Sequence, residues 1–311
     1  MSRRGWVLFS AMCLIWGIPY LLIKVAVEEL APSTLVLART AIAAAILLPV
    51  AAARGHLRPL LPKWRWLLIF SVVEVCVPWW LLGFAEQRLS SSLTGLLIAA
   101  VPLVGAVLAM AGADHERLDA RRLTGLLLGL GGVLALVGLD LGVGDARAAA
   151  AVGVVAICYA TGPIILARKL GELPGLGVVA ASLGIAAVAY LPAGLAQAPG
   201  AWPAGDTVAA VIALALVCTA LAFLVFFALI AEVGPIRATV FTYVNPAVAV
   251  LLGVIVLDEA FSSATALGFV LILGGSVLAT ARTRRPRRRP EPAAVGVDLS
   301  AERVAQCVPE P

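Results

Sequence analysis

The sequence repeats itself across its midpoint. Pro19 and Lys24 return as Pro163 and Arg168, and Pro102 returns as Pro246, each 144 residues further on. Between these anchors Glu29 and Pro49 return as Glu172 and Pro192. Glu116, Gly125, Gly131 and Gly132 return as Glu259, Gly268, Gly274 and Gly275. A chain written as two copies of one unit is expected to fold as two like halves.

The solvent for that unit follows from composition. With 62% hydrophobic and 13% charged residues and a mean hydropathy of +1.03, the chain lies outside the range of water-soluble domains and belongs in a bilayer. Counting roughly 20 apolar residues per crossing, spans are expected at 6–27, 33–53, 66–86, 90–111, 122–140, 149–168, 176–197, 208–230, 235–257 and 261–281. Backbone groups in lipid must be satisfied within their own segment, and the apolar signal is continuous rather than alternating, so the spans are helices and not barrel strands. The expected fold is all-α, a polytopic membrane protein with ten transmembrane helices.

Charge sets the orientation. Arg3, Arg4, the group Arg54, Arg58, Lys63 and Arg65, then Arg117, Arg121, Arg122, Arg168, Lys169, Arg237 and the arginines of 282–289 fall on one side, opposed by Arg88 and Arg147. Both termini are therefore expected in the cytoplasm of a multi-pass cell-membrane protein. The net charge of +5 sits beside apolar spans, which points to lipid headgroups and not to nucleic acid. Arg3 and Arg4 before an apolar stretch resemble a signal peptide, but no small-residue cleavage site follows, so the stretch is read as the first helix. Five spans per half turn the second copy over, giving inverted repeats at 6–140 and 149–281. The segment 282–311 reads as a disordered cytoplasmic tail. Inverted apolar repeats imply alternating access around a midplane site.

Trp16-Gly17 followed by Lys24, Pro32 with Arg39, the Ser-rich approach to Pro102, Glu116 then Gly125, and Pro235, Asn245-Pro246, Glu259 and Gly268 in the second half carry a resemblance. Over 6–281 the chain resembles the EamA-type branch of the drug/metabolite transporter superfamily. The resemblance implies a basket of ten helices in which spans 1–4 and 6–9 line a cavity and spans 5 and 10 pack outside. It also implies secondary transport of a small metabolite, amino acid or drug-like compound. The copies diverge where Trp16-Gly17 faces Ala160-Thr161 and Arg39 faces Ser182, as an asymmetric ligand would require.

Glu74 stands out, because a carboxylate in mid-span is costly and is usually found facing a cavity or a partner. It is the candidate proton carrier, against a purely packing role. Trp16, Tyr20 and Lys24 follow at i, i+4 and i+8, a stripe suited to stacking a ring and attracting a carboxylate, while Lys24 could equally snorkel to headgroups. Thr242, Tyr243 and Asn245 precede Pro246, where a freed carbonyl is expected near mid-membrane. Tyr159 on span 6 with Thr219 and Phe223 on span 8 would form the opposite wall. Of the adjacent Trp79 and Trp80, one is expected to face the cavity and the other lipid or another helix, since neighbours point about 100° apart. Arg39 reads as an outer gate paired to Glu28 or Glu29, or as a surface anchor, and Glu116 and Glu259 read as caps on the helices that follow them. Gly125 with Gly129, and Gly274 with Gly275, are close-approach surfaces within the chain or between two subunits of a homodimer.

Absences narrow the function. There is no GxxxxGK[ST] phosphate loop to hydrolyse ATP, and His56, His115 and the cysteines Cys13, Cys76, Cys158, Cys218 and Cys307 show no metal or disulfide spacing. No cofactor is implied, and an enzyme is the weak rival. The leading expectation is a proton-coupled exporter of a small molecule, and the alternative is an uncoupled facilitative carrier or channel-like permease.

Overall fold

A computed structural model of the chain describes residues 1–111, 120–140, 145–234 and 238–280. Every regular element among them is helical. Seven stretches are long and apolar enough to cross a membrane: Arg3–Ala26, Pro32–Ala53, Arg58–Glu86, Ser91–Leu108, Ala146–Leu170, Gly175–Ala196 and Gly205–Val233. Three shorter apolar helices, Leu123–Leu136, Asn245–Val256 and Thr265–Thr280, lie where the fifth, ninth and tenth spans are expected. Glu116, Pro235, Arg237, Cys307 and the tail at 282–311 fall outside the described residues.

Proline divides several spans. The first is α1 (Arg3–Ile15) and α2 (Pro19–Ala26), and the second is α3 (Pro32–Ala53). The third is α4 (Trp64–Ser71) and α5 (Val77–Glu86), and the fourth is α6 (Ser91–Ile98) and α7 (Val101–Ala111). Then come α8 (Ala120–Asp140), α9 (Ala146–Ile165), α10 (Gly175–Ala196), the pair α11 (Gly205–Ala215) and α12 (Ala222–Val233), α13 (Asn245–Val256) and α14 (Ser263–Thr280). Pro19, Pro102 and Pro246 each stand in the first two residues of a new helix, where a missing N–H costs nothing. At the first break the N–H groups of Gly17 and Ile18 both turn to the Leu14 carbonyl, 3.0 Å each, which takes the Cys13 carbonyl out of the ladder. Pro163 behaves differently. The helix runs through it and widens into a π-turn at Leu166–Leu170.

Two further π-helical segments carry the argument towards the site. They are Val72–Cys76 between α4 and α5 and Leu216–Leu221 between α11 and α12, and they start 144 residues apart, the period of the sequence repeat. In the first, Val77 N–H reaches back five residues to the Val72 carbonyl. Pro78 has no N–H to give Glu74's carbonyl, so the helix is loosest at its one mid-span carboxylate. Such widened turns are found mostly at functional sites.

The helices pack in a patterned way. α3 packs on α10, α6 on α13 and α8 on α14, while α5 packs on α9, and α1 and α2 pack on α12 and α11. Advancing every span by five positions returns the first three pairs to themselves and exchanges the last two. The α8–α14 pair is the closest in backbone terms. A Cβ at Gly125 would meet Ala279 N and Gly275 O, and one at Gly275 would meet Gly125 O and Gly129 N. The glycine surfaces expected for close approach are thus spent within the chain at Gly125 and Gly275, whereas Gly274 faces open space. Leu127, Leu134, Val188 and Ile255 lie exposed on the outside of the bundle, as lipid contact requires.

Candidate functional site

Inside the bundle the breaks and bulges bring polar side chains together in an otherwise apolar interior. Arg39, about two turns into α3, is 7% exposed. Its guanidinium carbon lies 3.8 Å from the centre of the Trp79 ring, and its Nε donates to Thr219 Oγ1 at 2.9 Å. Thr219 can accept because its own hydroxyl proton is given to the Leu214 carbonyl, five residues back at 2.8 Å, a carbonyl loosened by the π-segment of span 8. Tyr20 and Tyr159 lie within electrostatic reach of the guanidinium. Among the described residues the one ion pair is Lys63 with Glu172, at 3.2 Å, so Arg39 has no carboxylate within bridging distance. A buried cation held by a ring face and a neutral hydroxyl keeps donors that can bind an anion.

Glu74 is also near Tyr159, against α9. Its Oε2 is buried without a hydrogen-bond partner, and it lies against Gly162 of α9 so closely that any side chain at that position would overlap the carboxyl group. Gly162 is therefore required by a neighbour in space and not by a turn. Tyr159 is within electrostatic reach of both Glu74 and Arg39, so one phenol is near a carboxyl group and a guanidinium.

A second cluster joins the two broken helices. Trp16 ends α1 with its ring among Phe223, Phe226 and Phe241, centroids at 5.7, 5.2 and 5.1 Å. Asn245, with its amide turned to satisfy its neighbours, donates to the freed Cys13 carbonyl at 3.2 Å and to Phe241 O at 3.0 Å. Asn245 thus repairs the break in span 1 from span 9. The stripe of Trp16, Tyr20 and Lys24 does not exist as a helical face, because the break at Gly17 falls inside it.

Several expectations are corrected by position. Lys24 neither snorkels nor lines the cluster. Its ammonium donates to the Glu86 and Leu89 carbonyls, 2.8 and 3.0 Å, and so caps the C-terminal end of α5, where a cation is favoured. Trp79 is the inward tryptophan. Trp80 is turned out and stacked on Phe84. Tyr243 bonds Thr280 Oγ1 at 2.7 Å at the bundle's edge, and Thr242 is exposed, so neither joins the central cluster. Arg39 is not an outer gate, and Glu29 instead accepts from Ala204 N at 2.8 Å. Glu259 is a cap, but on the other half of the chain: its carboxylate accepts from Ser91 N at 2.6 Å and Ser92 N at 2.9 Å at the start of α6. A left-handed turn at Asp258, φ 52°, returns Glu259 N to the Gly253 carbonyl and aims that carboxylate. Two charge-assisted bonds at a helix start are worth about 1.5–3 kcal/mol each when buried. Glu259→Ala is accordingly expected to destabilise the detergent-solubilised protein by several degrees in a thermal melt, and an unchanged melt would remove the cap's structural importance.

Two residues were not legible beforehand as site residues. In sequence Arg39 reads as superficial because it is the eighth residue of its helix, and Glu86 because it ends a span. The one available signal was a charge within a segment that otherwise reads as uninterrupted apolar helix.

The EamA-like transporter family model matches the chain twice, at residues 3–138 and 147–281. The chain belongs to the EamA-like transporter family. It is therefore a multi-pass membrane transporter for a small molecule and not an enzyme. Over 298 residues it is 29% identical to the uncharacterized inner membrane transporter YedA of Escherichia coli, covering 94% of this chain and 95% of that one. It is 30% identical over 229 residues to the aromatic amino acid exporter YddG of Ancylobacter novellus, covering 70% and 71%. A crystal structure 23% identical in sequence superimposes with a TM-score of 0.65 over 92% of this EamA-like transporter and all of that chain, which shows a shared fold.

Proposed function

We propose that this EamA-like transporter carries an amino acid or a similar zwitterion with an aromatic or otherwise apolar body outward across the cytoplasmic membrane, in exchange for protons. The observation that carries the reading is Arg39: a guanidinium buried mid-bundle against Trp79 with no carboxylate at ion-pair distance among the described residues. A substrate carboxylate would supply the missing anion through charge-assisted bonds, and Trp79, Tyr159 and Tyr20 offer faces to a ring. Glu74, near Tyr159, would hold either the substrate ammonium or a proton. That alternation is how an antiporter keeps its two cargoes exclusive. The relative named as an aromatic amino acid exporter supports both the substrate class and the direction.

The scaffold we infer is ten spans in two inverted repeats, 6–140 and 149–281, with both termini cytoplasmic. The 144-residue recurrence, the coincident π-segments in spans 3 and 8 and the exchange of helix pairs on advancing five spans support it. The Lys and Arg bias supports the orientation. In such a carrier the two halves rock about the site between them.

The test is efflux of labelled phenylalanine or tryptophan from proteoliposomes under an imposed pH gradient. Acid on the outer face should drive substrate out, because protons then run inward as substrate leaves. In Glu74→Gln the pH-driven component should fall by about tenfold or more, in line with the contribution of a positioned proton-transfer group. Wild-type efflux that ignores the gradient would leave an uncoupled facilitative carrier, and no flux of any amino acid would refute the substrate class.

A further inference from the structure

The outer end of the bundle holds a second buried carboxyl group that the reading above does not use. Glu86, the last residue of α5, is 0% exposed, and neither of its carboxyl oxygens has a hydrogen-bond partner. The groups around it come from every element it packs against. α2 brings Lys24 and Tyr20, α3 brings Arg39, and the loop ahead of α14 brings Glu259. One step further, α9 brings Tyr159 within electrostatic reach of Tyr20, Arg39 and Glu74. α6 presents only hydroxyls, those of Ser91, Ser92 and Thr94, all buried and all without a partner. Lys24 does not close the account, since its ammonium is given to the Glu86 and Leu89 backbone carbonyls, and Glu259 has spent both oxygens on Ser91 and Ser92 N–H.

Stability gives no reason for this arrangement. An apolar side chain at 86 would pack without the cost of an unsatisfied polar group, and native proteins keep few such groups without a use for them. The cluster also lies between two other features. On its outer side a cavity of about 350 Å³, lined by Arg88, Asp145 and Ser262 among others, shares Ser92 and Glu259 with it. On its inner side Tyr20 is within electrostatic reach of Glu86 and Arg39, and Tyr159 within reach of Tyr20 and Glu74. Tyr20 and Tyr159 also pack on the apolar cluster that contains Leu82, one turn before Glu86, and Tyr159 is one turn before Gly162, against which Glu74 rests, so both phenols lie in the stretch of bundle that holds the two carboxyl groups.

We propose that Glu86 is the outer proton station of the transporter, relaying protons from the Glu259–Ser92 cavity to Glu74. In one passage Glu86 releases its proton inward, the Tyr20 and Tyr159 hydroxyls and intervening water each accept one and give one, and Glu74 ends protonated. Glu86 is then reprotonated from outer water, so no charge or atom is left behind in the relay. The proposal rests on the proton-antiport reading and adds its route.

The experiment uses the full chain in proteoliposomes with a trapped pH dye, and compares wild type, Glu86→Gln, Glu86→Asp and Glu74→Gln. Two quantities are read: phenylalanine counterflow, which needs no net proton movement, and proton uptake coupled to phenylalanine efflux. Glu86→Gln should keep counterflow within about threefold and lose coupled proton uptake by about tenfold or more, with Glu86→Asp restoring part of it. Proton uptake kept in Glu86→Gln but lost in Glu74→Gln would overturn the relay alone. Loss of counterflow together with proton uptake in Glu86→Gln would assign Glu86 a structural role and overturn it too. Wild-type protein that exchanges phenylalanine without moving protons would overturn the antiport reading and the relay with it.

Discussion

Arg39→Met is expected to leave the protein folded and to abolish transport of a carboxylate-bearing substrate. The two halves of this outcome have separate physical causes. Removing the guanidinium gives up one hydrogen bond to Thr219 and the stacking on Trp79, but it also removes the cost of holding a charge out of water without an ion-pair partner among the described residues. Replacing buried charges by apolar side chains of similar volume is often neutral or stabilising by about 1–4 kcal/mol, so the melting temperature of the solubilised protein should stay level or rise. Transport loses the group that binds the substrate anion. Charge-assisted bonds to a buried group contribute about 1.5–3 kcal/mol each, and a bidentate pair therefore accounts for a loss of about a hundredfold or more in transport efficiency. Arg39→Lys should fall between, since it keeps the charge and loses the planar fork. Counterflow and thermal melts on the same preparations check both halves. A variant that unfolds would make Arg39 a structural residue, and one that transports amino acids at the wild-type rate would take the anion receptor away.

Gly275→Leu is expected to remove the folded protein, while Gly274→Leu beside it is tolerated. At Gly275 a Cβ would stand 2.5 Å from Gly125 O and from Gly129 N, and backbone atoms cannot rotate aside as a side chain can. α8 and α14 would have to separate along their contact. In lipid, helices associate through close packing and not through a hydrophobic drive, so that separation loses most of what joins them. Overpacking of this kind costs about 1–3 kcal/mol even where side chains can yield, and more is expected where only backbone is available. At Gly274 nothing lies within 4 Å of the added atom. Yield and monodispersity of the two variants in mild detergent make the comparison. Equal behaviour would show that close backbone approach is not what holds α8 and α14 together.

Much of this was readable before any fold was known, and the reason differs from residue to residue. The helical, membrane-spanning character follows from hydropathy and the demand that backbone groups in lipid be satisfied locally, both properties of contiguous sequence. Pro19, Pro102 and Pro246 announce breaks because a missing N–H acts on its own helix. Glu74 could be singled out because a carboxylate in mid-span is conspicuous in one dimension. Which way a side chain points was another matter. In a soluble helix the apolar stripe marks the buried face, but here the lipid-facing side is as apolar as the core, and the periodicity that would separate Trp79 from Trp80 is lost.

The sequence by itself determined the solvent, the helices, their breaks, the repeat and the mid-span carboxylate. Tertiary structure alone decided what Arg39 touches, that Lys24 caps α5, that Glu259 caps α6 from the other half of the chain, that Asn245 repairs the break at Cys13, and that Glu86 is closed from solvent. Each of these partnerships spans from 62 to 232 residues of chain or depends on burial by several helices at once. A side chain's chemistry is local, whereas its partner is chosen by packing.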